Sequence, residues 1–185
     1  MRKNLRLITS LFCGLALLAA VANAGDSSGD EWKTVLKQRL NLYGHRNWIV
    51  IADSAYPDQS AEGIETIVSN SGQLDVLKEV LADLSGSKHV RAIAHTDKEL
   101  KFLGDSDAPG VSAYRKQLFA LLPDAQTNSQ PHEEIIHNLD AVAKTFRVLI
   151  IKTDMTLPYT SVFLQLDCAY WSSEAEQQLH ARMAR

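Results

Sequence analysis

Cysteine is nearly absent, and its scarcity removes one way of holding a small exported domain together. The two cysteines are Cys13 and Cys168. Cys13 lies in an N-terminal segment that reads as removable, so the mature chain keeps one thiol and no intrachain disulfide. An excess of basic residues is also missing. Nineteen Lys and Arg against 22 Asp and Glu give a formal net charge of −3, and no basic patch interrupts the sequence, which argues against nucleic acid as a partner. Long apolar runs are missing after the first one, Leu7 to Val21, and that one is short for the roughly 20 residues a bilayer span needs. No Gly-x-Ser-x-Gly elbow, phosphate-binding loop or dinucleotide fingerprint occurs, and nothing asks for a redox cofactor. Cys168 ends an apolar stretch and reads as a packed thiol rather than a nucleophile.

The N-terminus carries an export signal. Arg2, Lys3 and Arg6 make a basic start, Leu7 to Val21 the apolar core, and Ala22-Asn23-Ala24 a small-residue cleavage site. Residues 1–24 are expected to be cleaved, 25–30 to form a flexible tail, and 31–185 to form one domain in the periplasm or outside the cell, with no membrane partner after cleavage. Losing three basic residues takes the mature charge to −6. About 160 residues suffice for one domain with a real core.

Periodicity then sets the elements. Asp30 can cap a helix bearing Trp32, Val35, Leu36 and Leu40 that ends near Gly44. Strands are expected at 48–53, 64–68, 88–95, 148–152 and 161–166, and helices at 72–84, 97–102, 111–122 and 132–145, with a polar helix opening at Ser172. Alternation of helix and strand predicts a single layered α/β domain, a central sheet flanked by helices.

Three segments carry candidate chemistry. Gly44-His45 and Asp53 bracket the first strand. A strand rises about 3.3 Å per residue, so His45 and Asp53 can meet only if the chain turns after His45 or if a strand end faces a neighbouring subunit. The second segment, His132-Glu133-Glu134-Ile135-Ile136-His137, imitates a zinc-protease helix. Its histidines are five apart, however, which places them roughly 140° around a helix, whereas the metal motif needs a spacing of four; no metal site is expected. The third runs from Lys152 to Ser161 through Asp154, Pro158 and Tyr159.

Together these segments resemble the D-ribose pyranase and L-fucose mutarotase family, over about residues 33 to 167. In that family a Gly-His pair is followed eight residues later by Asp and then by a turn with Pro, as in His45, Asp53 and Pro57. A basic residue precedes Pro-Tyr by the spacing of Lys152 to Tyr159, and a His-Glu helix start lies upstream, as at His132. The resemblance implies an enlarged, exported sugar isomerase of this type without a cofactor, assembled as a homo-oligomer whose sites are completed by a neighbour. It implies His45 as proton donor and Asp53, His132, Tyr159 and Ser161 as the monosaccharide-binding residues. For the helix position His132 fits by local pattern, and His137 by its 22-residue distance to Tyr159. Ser161 stands where the family places Asn. Interconverting anomers or ring forms requires protonating the ring oxygen and deprotonating the anomeric hydroxyl, work suited to a histidine titrating near neutrality. A noncatalytic carbohydrate-binding or scaffold protein on the same fold is the alternative, and a metal-dependent hydrolase built around His132 and Glu133 a third reading.

Overall fold

The computed structural model describes residues 30–122 and 127–184; the expected signal and all but the last residue of the expected tail fall outside that range. A six-stranded sheet forms the centre, in the order β2-β5-β1-β6-β3-β4. The strands are β1 (Trp48–Ala52), β2 (Ile64–Val68), β3 (Val90–Asp97), β4 (Thr127–Gln130), β5 (Val148–Lys152) and β6 (Val162–Cys168). The pairs β1 with β5, β2 with β5, and β3 with β4 are parallel; β6 runs antiparallel to both its neighbours, β1 and β3.

The apolar runs explain this layering. Every residue of β1 is buried, as expected of a strand covered on both faces. Ile49 and Ile51 point into a core shared with α1 (Glu31–Leu42), α2 (Gln73–Ser85) and α3 (Val111–Leu121). Trp48, Val50 and Ala52 point the other way, into a second core under Ile135 and Leu139 of α4 (His132–Val142). The result is an α/β domain with helices on both sheet faces. The last helix, α5 (Ser173–Met183), buries none of its residues, in keeping with its polar sequence. No helix among the described residues is long and apolar enough to cross a membrane.

Two expected boundaries need correction. The strand expected at 88–95 runs from Val90 to Asp97, and the helix expected from Asp97 is only a 3-10 turn, Lys98–Lys101. β6 pairs with β3 up to Thr96 and β4 pairs with Asp97 itself, so strand geometry persists past His95. β4 was not foreseen, because Thr-Asn-Ser-Gln carries no apolar alternation; it is an edge strand that hydrogen-bonds to β3 alone.

One close approach locks α4 against the sheet. A Cβ at Gly63, just before β2, would lie 2.0 Å from the Ala143 carbonyl oxygen at the end of α4, so only glycine fits.

Candidate functional site

The C-terminal ends of the five parallel strands and the N-terminal end of β6 share one edge of the sheet, the edge where open α/β sheets bind ligands. Register decides which side chains gather there. Val162 of β6 is level with Ile51 on one side and Thr96 on the other, which sets Ser161 between the strand ends that carry Asp53 and Asp97. On the far side Asp97 is level with Gln130 of β4, and His132 follows two residues later at the start of α4.

Asp53 is fixed by the backbone and by Ser161. Its Oδ1 accepts from the Ala55 N–H at 2.9 Å, its Oδ2 accepts from the Ser161 hydroxyl at 2.8 Å, and its own N–H donates to Ser161 Oγ at 3.2 Å. Ser161 is 2% exposed and directs both its donor and an acceptor lone pair to Asp53, so it holds the carboxylate from behind.

Asp97 is the group that the sequence reading passed over. It is 1% exposed, and neither of its oxygens has an aligned hydrogen-bond donor among the described residues. His132 Nδ1 lies 3.2 Å from Oδ1, in ion-pair contact but too bent for a hydrogen bond. Burial pushes the Asp97 carboxyl up to about 6, the neighbouring His132 pulling it down and Glu99 and Asp53 adding to the rise. The signal that could have found it is the one that found Asp53, an acid closing an apolar strand; ending the strand at His95 hid it.

His132 is held on two further sides. Its backbone N–H donates to the Glu99 carboxylate at 3.1 and 3.2 Å, and its ring meets Tyr159 edge-on with centroids 5.7 Å apart. Tyr159 adopts a left-handed φ of 57°, a conformation that costs a non-glycine residue roughly 1–2 kcal/mol. The segment is pinned from below: buried Gln73 donates to the carbonyls of Ile51 and Thr160 at 3.1 and 2.8 Å, and the Tyr114 hydroxyl shares its proton between Gln73 Oε1 and the Thr160 carbonyl at 3.0 and 3.1 Å. Sequence reading missed this clamp, because Gln73 and Tyr114 sit in ordinary helical patterns.

A cavity of about 260 Å³ opens between β1 and α4, lined by Asp53, Tyr56, Gln59, His132 and Glu133 among others. Tyr56 is 5% exposed, and burial together with Asp140, Asp97 and Asp53 pushes its phenol up to about 12, so it is neutral near pH 7.

The sequence-derived candidates therefore separate. Asp53, His132, Tyr159 and Ser161 converge at one edge. His137 is exposed on α4, and since only His132 faces Asp97, the two histidines do not converge on a shared ion. His45 sits at the opposite edge, exposed in a turn that Asn47 ties to Gly44 and Arg46 ties to the Leu166 carbonyl. The chain does turn after His45, yet β1 still puts roughly 16 Å of strand between the two edges. His45 lines a separate cavity of about 660 Å³ with Asp167, Trp171 and Glu176.

No family model and no curated protein matches the sequence. Solved structures do. Bacillus subtilis RbsD complexed with D-ribose is 20% identical, with a TM-score of 0.52 over 71% of this chain and 90% of that one. The fucose mutarotase of Streptococcus pneumoniae in complex with L-fucose is 19% identical, with a TM-score of 0.47 over 71% and 89%. FucU from Bifidobacterium longum is 18% identical, with a TM-score of 0.46 over 71% and 92%. The six-stranded sheet with its flanking helices is thus the fold of ribose-bound RbsD, reached here by a sequence only one-fifth identical to it.

Proposed function

We propose that the protein is an exported sugar isomerase of the pyranase and mutarotase type, which interconverts anomers or ring forms of a free monosaccharide by proton transfer. The observation that carries this reading is the convergence of Asp53, Tyr56 and His132 on one small cavity at the sheet edge where open α/β folds bind ligands, with Tyr159 against the His132 ring. About 260 Å³ lies below the roughly 300–1,000 Å³ that suits drug-sized ligands, and a carboxylate, an imidazole and a phenol are groups that orient a polyol. Asp53 and His132 bind hydroxyls, Tyr159 packs against the sugar, and Ser161 sets the Asp53 rotamer.

His45 is the proton donor in this reading. Since β1 separates it from Asp53 within one chain, it reaches the cavity from a second copy, so the active form is a homo-oligomer. The separation of His45 also favours a second reading, a noncatalytic carbohydrate-binding protein in which the cavity binds sugar without a proton donor.

Saturation-transfer NMR on D-ribose and L-fucose distinguishes the two. Exchange between ring forms above the spontaneous rate, lost in His45→Ala, is the expected result. Sugar binding without accelerated exchange would establish the binding protein.

A further inference from the structure

Isomerisation through a ring-opened aldose needs two proton positions, one at the ring oxygen and one at the anomeric hydroxyl, and the reading above fills only the first. The cavity holds a second group. His132 Nδ1 is buried against Asp97 at 3.2 Å, which leaves Nε2 as the ring nitrogen free for the cavity that His132 lines. Behind it, Asp97 has no aligned donor among the described residues, although a buried carboxylate is costly without one. The charged and titratable groups around Asp97 are His132, Glu99 and Asp53, with the phenol of Tyr56 close by. Of these only His132 can carry positive charge, and the Glu99 carboxylate on its backbone N–H keeps it in place.

We infer that His132 is the general base of the cavity, acting through Nε2, and that Asp97 is its positioning residue, its buried carboxylate favouring a proton on the facing Nδ1 through ion-pair contact and balancing the imidazolium that forms. The inference rests on the isomerase reading. In ring opening, His45 gives its proton to the ring oxygen as the bond from that oxygen to the anomeric carbon breaks, its electron pair passing to the oxygen. The anomeric hydroxyl gives its proton to His132 Nε2, and the electron pair of that O–H bond completes the carbonyl. Reclosure on either face returns both protons, so no electron and no net proton leaves the site. A carboxylate that orients a histidine and stabilises its charged form without itself accepting the proton is an established arrangement in hydrolases.

Asp97→Asn, nearly isosteric, tests the assignment together with His132→Gln. Ring-form exchange of D-ribose and L-fucose is followed against pH, and the ring nitrogens of His132 by ¹⁵N NMR. The expected result in Asp97→Asn is a fall in kcat on the order of 100-fold with KM little changed, a displaced acid limb of the pH profile, and loss of the Nδ1–H tautomer. A variant that exchanges sugar at the wild-type rate and profile, with its tautomer intact, overturns the role of Asp97; His132→Gln with full activity overturns the base. A wild-type protein that accelerates neither sugar instead sinks the isomerase reading and the base role with it, while the ¹⁵N spectrum reports independently whether Asp97 fixes the ring.

Discussion

Asp97 makes the residue-scale energetics of this site unusual. Its carboxyl is raised from 3.8 to about 6 by burial, so the folded chain holds that proton more tightly than the unfolded one. The corresponding stability is complete below about pH 4 and is lost as pH rises through 6. Two pKa units amount to about 3 kcal/mol. Urea denaturation should therefore show Asp97→Asn gaining on the wild type as pH goes from 4 to 7.5, by up to that amount; a pH-independent difference would contradict the buried charge. Ser161 offers the converse case. Ser161→Ala strips one partner from Asp53 Oδ2 and another from its N–H, at an expected cost of about 1–3 kcal/mol, seen as a lower Tm and, on the proposed function, as weaker sugar binding. Asp53 was legible as an acid at a strand end and Ser161 as a departure from the family pattern. That the two bond each other was not, because they lie 108 residues apart in sequence.

At the scale of elements, the close contact between β2 and α4 predicts a sharp response to one added methyl. Gly63→Ala must push apart Gly63 and the Ala143 carbonyl, which is backbone and cannot rotate away. Overpacking of this kind costs about 1–3 kcal/mol or more, so thermal denaturation should show a large loss, while Gly104→Ala at a half-buried site, which meets only side-chain atoms at 3.6 and 3.7 Å, should be nearly silent. The Gln73–Tyr114 clamp makes a second element-scale prediction. Tyr114→Phe leaves the Gln73 amide oxygen and one lone pair of the Thr160 carbonyl unsatisfied inside the core. It should cost about 1–2 kcal/mol and loosen Tyr159, read on the proposed function as weaker sugar binding. Apolar periodicity located every strand except β4, whose residues are all polar and which exists because β3 presents an open edge. Periodicity also misjudged the end of β3, since pairing to β6 and β4 holds Thr96 and Asp97 extended where local sequence suggested a helix start.

For the whole molecule, the decisive relation is between the two edges of the sheet. If a site needs His45 from one copy and Asp53 from another, chains carrying His45→Ala or Asp53→Asn are each inactive alone. Mixed after dissociation and reassembly, they should regain about a quarter of wild-type exchange, because random pairing restores that share of sites; no recovery would mean that one chain supplies both groups. The sequence by itself determined the layered α/β class, the central apolar strands and the residues capable of proton transfer, because burial and residue type are written locally in the order of side chains. Only the tertiary structure decided which of those residues meet. Strand order and register are set by packing between segments far apart in the chain: they carried Asp53, Asp97, His132 and Ser161 to one edge and left His45 at the other.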